Sequence, residues 1–72
     1  MLISISKEEY YNTLISIVEL EVEYTSIMNM NKDIYTVVQG KDVLCKEKVW
    51  KGYKYFVDKT LLEEIRNGKV DT

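Results

Sequence analysis

Hydrophobic and polar positions follow two periods along this chain, and the changes between them mark its elements. Tyr10, Tyr11, Leu14, Ile15, Ile17 and Val18 recur at helical spacing, with Asn12 and Ser16 on the opposite side. Just upstream, Ser6-Lys7-Glu8-Glu9 has the form of a capping box. The Ser6 hydroxyl can accept from the third helical amide, Glu9 can reach back to the cap, and Ile5 and Tyr10 occupy the staple positions. The pattern predicts a helix over about 7–17.

From Val18 to Thr25 the order becomes strictly alternating, apolar then polar, which is the period of a half-buried strand. A single helix continuing to about Met28 is the competing reading. It would put Glu21 in the middle of the apolar face, where an unpaired carboxylate is costly, and the β-branched residues favour extended backbone. The expectation is therefore a strand over about 18–27. Asn29 to Asp33 reads as a turn. Ile34 to Gln39, Val43 to Trp50 and Tyr53 to Val57 are rich in β-formers, and Gly40-Lys41 and Lys51-Gly52 between them can each close a two-residue hairpin. Together they predict an antiparallel meander over about 34–57. Asp58 can cap a last helix over about 59–67 that carries Leu61, Leu62 and Ile65 and stops at Asn67-Gly68. The class is α+β, with one small domain over 1–72.

Two-residue turns at those places fix a register. Trp50 then faces Tyr53, Lys48 faces Tyr55 and Lys46 faces Val57, while Val38 faces Val43, Thr36 faces Cys45 and Tyr35 faces Lys46. One sheet face carries Ile34, Thr36, Val38, Val43, Cys45, Val49 and Phe56 and suits a core under the helices. The other carries Tyr35, Val37, Leu44, Lys46, Lys48, Trp50, Tyr53 and Tyr55. Aromatic rings interleaved with lysines can stack on bases and meet phosphates, and the same mixture makes hot spots for protein partners. The bland alternative is a packed aromatic layer with lysine stems lying across it.

Composition narrows the chemistry. The chain has 72 residues with a net charge of −2, 46% of them hydrophobic and 31% charged, and it has no His, no Pro and one Cys. Without His there is no imidazole base and no Cys/His zinc site, and a lone thiol cannot form an internal disulfide. Cys45 reads as a small core hydrophobe in a reducing, cytoplasmic setting. Gly40, Gly52 and Gly68 are each explained by a turn or a cap, so no glycine-rich phosphate loop is formed. Glu63, Glu64 and Asp71 offer carboxylates without the cleft that acid and base work requires. No apolar run is long enough to span a membrane.

Charge is unevenly distributed. Residues 1–33 hold Lys7 and Lys32 against Glu8, Glu9, Glu19, Glu21, Glu23 and Asp33, whereas 41–59 carries six lysines against Asp42, Glu47 and Asp58. Glu19, Glu21 and Glu23 would form an acidic strip on one strand face. It fits a basic groove on a target, or merely a solvated edge that resists aggregation; alternate carboxylates alone lack the further oxygens a hard cation needs.

These features point to a non-enzyme with no cofactor and no metal. Nine lysines to one arginine, with many Ile, Tyr and Asn and no Ala, reflect AT-rich coding and a phage or mobile-element origin. The expected function is binding to a larger host protein so as to inhibit or modulate it. The aromatic and basic face (Tyr35, Lys46, Lys48, Trp50, Tyr53, Tyr55) and the acidic strip are the candidate surfaces. A homodimer is a further possibility, because a core this small is marginal alone. The alternative is a nucleic-acid- or nucleotide-binding module using the aromatic and lysine face.

Overall fold

The computed structural model describes residues 1–28 and 32–66. Five strands and two helices follow in the order β1 (Leu2–Ile5), α1 (Lys7–Glu19), β2 (Tyr24–Met28), β3 (Ile34–Val38), β4 (Lys41–Val49), β5 (Gly52–Asp58) and α2 (Lys59–Arg66). The strands form one antiparallel sheet in the order β1-β5-β4-β3-β2. The α+β class, the meander and both helices are as the sequence predicts. The part of the 29–33 turn at 29–31 and the stop at Asn67-Gly68 lie outside the described residues.

α1 begins where its cap requires. Ser6 is in the extended region, and its Oγ accepts from the Glu9 amide at 3.1 Å. The helix ends later than its periodicity indicates, at Glu19. Its stop is a left-handed cap: Glu21 has φ 55°, its amide donates to the Val18 carbonyl at 3.1 Å, and the Val22 amide donates to the Ile17 carbonyl at 3.3 Å. Val22 folds back onto the core around Ile17. The expected strand over 18–27 is thus corrected to the end of a helix, a cap and a short strand at 24–28. Within the alternating run only Leu20 and Val22 are half-buried, while Val18 and Tyr24 at its ends are exposed.

β1 was not anticipated. It pairs with β5, placing Ile3 against Val57 and Ile5 against Tyr55. Because β1 and β2 are the two edges, α1 must cross over the sheet between them.

The hairpin registers differ from expectation in an instructive way. Both turns lie one residue earlier, at Gln39-Gly40 and Trp50-Lys51, so that Val38 pairs with Lys41 and Val49 with Gly52. Gln39 and Gly40 both have positive φ, 51° and 78°, as the mirror-image hairpin turn demands. Moving a turn by one residue moves the register by two and leaves the faces unchanged. A bulge between Thr36 and Val37, which skips Val43, moves it back by one and exchanges them. Thr36 therefore lies opposite Leu44 rather than Cys45, and Tyr35 opposite Cys45 rather than Lys46; Lys46 faces Tyr55 and Lys48 faces Tyr53.

Both helices cover the face that carries Leu44 and Val57. Tyr10, Ile17, Val43, Leu44, Val57 and Leu62 form the buried cluster, flanked by Ile3, Ile5, Leu14, Val38, Tyr55 and Leu61. The predicted inner face is correct on β3, where Thr36 is buried, and at Val43, which joins the core, and is reversed on β4 from Leu44 onward and on β5. Asp33 secures the start of β3: its Oδ1 accepts from the Lys48 amide at 2.8 Å and extends the β3-β4 pairing beyond its last backbone partners.

Candidate interaction surface

The predicted aromatic and basic face is not a free surface. Tyr55 lies under α1, with its ring centroid 5.1 Å from Tyr10 and 6.1 Å from Tyr11. Lys46 Nζ donates to the Tyr11 hydroxyl at 2.9 Å and sits 4.3 Å from the Tyr53 ring centroid. That hydrogen bond raises the Lys46 pKa, against a smaller opposing effect of burial. A lysine held over two tyrosine rings and bonded to a hydroxyl is part of the packing. Tyr35 belongs to the opposite sheet face. Trp50 belongs to neither: it occupies the β4-β5 turn and is 93% exposed. What remains open is a corner made of Lys48, Trp50 and Lys51 beside a half-buried Tyr53.

The acidic strip is also dispersed. Glu19 closes α1, Glu21 is the left-handed cap residue and Glu23 lies just before β2, so the three exposed carboxylates share no strand face. Cys45 is buried as expected, but on the sheet face away from the helices, between Phe56 and Tyr35. Burial raises its pKa, partly offset by a hydrogen bond with the Tyr35 hydroxyl, so the thiol stays protonated and unreactive. Thr36 is fully buried, and no hydrogen bond of full geometry reaches its Oγ1, although the neighbouring Tyr10 hydroxyl interacts with it.

Two hollows are lined by described residues. One, of about 300 Å³, lies between Glu23, Tyr24 and Thr25 and the β3-β4 turn. The other, of about 320 Å³, is lined by Lys41, Val43, Asp58, Leu61 and Glu64 among others. Asp58 is already engaged there, accepting from the Leu61 amide and pairing with the Met1 ammonium, both at 3.1 Å. Among the described residues no group of His, Cys, Asp and Glu could hold a metal ion, and no helix is long and apolar enough to cross a membrane.

A different surface stands out. Ile15, Val18, Tyr24, Ile27 and Met28 are large apolar side chains, each between 42% and 66% exposed. Three belong to β2, whose five residues are all exposed. Ile15 and Val18 share a flank of α1 with Tyr11, four and seven residues on, and Tyr11 is tied to Lys46 of β4. That flank is therefore the side of α1 that meets Lys46 and Tyr55. The sequence held one signal for this surface: Tyr24 to Met28 has no charge, which is unusual for a strand at an edge.

Comparison with protein-family models, with characterised proteins and with solved structures finds no significant match to this chain.

Proposed function

We propose that the protein is a non-enzymatic binding protein, carried by a phage or mobile element, that docks on a larger host protein in the cytoplasm and inhibits or modulates it. The observation that supports this reading is the exposure of five large apolar side chains, Ile15 and Val18 on α1 and Tyr24, Ile27 and Met28 on the edge strand β2. Apolar surface of this kind is costly to leave in water and is typical of contact sites. The test is capture from lysates of low-GC bacterial hosts with three baits: the native chain, Ile15→Lys/Val18→Lys, and Trp50→Ala. The expected outcome is a stoichiometric partner retained by the native chain and Trp50→Ala and lost with the double lysine variant. Equal capture by all three baits would sink the reading.

The second reading, a nucleotide or nucleic-acid binder, is supported by the exposed corner of Lys48, Trp50 and Lys51. It predicts a saturable, salt-sensitive change in Trp50 fluorescence on adding oligonucleotides. Since Lys46 and Tyr55 are committed to packing, the expected result is no such change.

A further inference from the structure

β2 is the least protected strand of the sheet. It pairs with β3 on one side only, all five of its side chains are exposed, and it has none of the lysines, prolines or bulges that keep edge strands single. The other edge differs. Leu2, Ile3 and Ile5 of β1 are half-buried, and Ile3 and Ile5 already pack on the core. Among the described strands, unused backbone donors and acceptors therefore coincide with unused apolar side chains at β2.

We propose that β2 pairs antiparallel with β2 of a second copy of this chain, in a register centred on Ser26, so that two five-stranded sheets join about a two-fold axis. The strand is self-complementary in that register. Tyr24 comes beside Met28 of the second copy on the helix-covered face, a sulfur–aromatic neighbour pair. Thr25 comes beside Ile27 of the second copy on the open face, a β-branched pair of the kind favoured across strands. Each contact occurs twice, as a two-fold interface requires. Charge selects the antiparallel direction. Glu19, Glu21 and Glu23 precede β2 while Lys32 and Asp33, of opposite charge, follow it, so antiparallel pairing sets the acidic approach of one copy beside the balanced end of the other. Parallel pairing would set the two acidic approaches side by side.

The inference deepens the proposed function by naming what occupies the backbone edge of the apolar side. It leaves Ile15 and Val18, repeated in the dimer, for the larger partner. The two ideas fail separately: a monomer that still loses its partner on Ile15→Lys/Val18→Lys would overturn the dimer and keep the docking surface.

The test combines mass measurement with site-specific cross-linking. Sedimentation of the native chain across the micromolar range is expected to show a monomer–dimer equilibrium, and Ile27→Lys is expected to remain monomeric throughout. In a Cys45→Ser background, Ser26→Cys is expected to form an intermolecular disulfide in a mild redox buffer. Directly opposed residues lie roughly 4.5–5.5 Å apart between Cα atoms, within disulfide range. Tyr24→Cys is expected not to form one, because the two Tyr24 positions stand about 13 Å apart along the strand. A native chain that stays monomeric overturns the proposal. So does a dimer that survives Ile27→Lys, or one that cross-links as readily through Tyr24→Cys as through Ser26→Cys.

Discussion

Glu21 carries a conformation that costs it something. With φ 55° it ends α1 in the left-handed region, where a side chain with a Cβ is disfavoured by about 1–2 kcal/mol and glycine is not. The cap bonds from Glu21 and Val22 to the Val18 and Ile17 carbonyls hold it there. Its side chain is exposed, so nothing is lost from the core by removing it. Glu21→Gly is therefore expected to stabilise the fold by roughly 0.5–1 kcal/mol, the extra freedom of unfolded glycine taking back part of the gain. Glu21→Ala keeps the strained Cβ and should change little. Urea unfolding of the two variants checks this; equal midpoints for Glu21→Gly and the native chain would mean that the cap carries no strain. The same residue explains a misreading. A glycine at this position would have announced the helix stop, whereas a glutamate in an alternating run reads as a strand.

Among elements, those with local chemistry were legible and those defined by partners were not. The start of α1 was readable because Ser6 and Glu9 are three residues apart, and the meander because Gly40 and Gly52 break runs of β-formers. β1 was invisible: four residues, Leu2 to Ile5, become a strand only because β5 offers an edge beside the core. α2 was readable from Asp58, which caps it and also pairs with the Met1 ammonium. Burial alone would raise the Asp58 pKa, but the Leu61 amide and the ammonium together outweigh it and leave the carboxyl below its ordinary value. A carboxyl lowered on folding adds stability above its unfolded pKa and loses that contribution as pH falls through the folded one. Stability should thus decline with acidification below the ordinary aspartate range. Asp58→Asn keeps a capping oxygen but no charge, so it is expected to be less stable at neutral pH and to show a shallower acid decline. Urea midpoints measured against pH for both chains decide it; parallel curves would remove Asp58 from the acid response.

At the level of the whole molecule, one skipped residue decided which surface faces water. The candidate residues Lys46, Lys48, Tyr53 and Tyr55 were correctly grouped on one face, since both turn displacements preserve parity. The bulge at Val43 then turned that face inward, and no residue type in Asp42-Val43-Leu44 announces a bulge. What the structure makes of the aromatic group is a layer in which Tyr11, Tyr10, Tyr55 and Tyr53 meet in succession, edge-on or tilted, with Lys46 bonded into it. Two residues that looked equivalent in the sequence should now behave oppositely. Tyr55→Ala removes a ring held between β5 and α1 and is expected to cost roughly 2–3 kcal/mol, less than the full burial of such a ring because it is half-exposed. Trp50→Ala trims a side chain that is 93% exposed in a turn, and is expected to fall within about 0.5 kcal/mol of the native chain. Urea unfolding followed by far-ultraviolet circular dichroism compares them without depending on the tryptophan. A neutral Tyr55→Ala beside an equally neutral Trp50→Ala would restore the outward aromatic face and, with it, the nucleotide-binding reading.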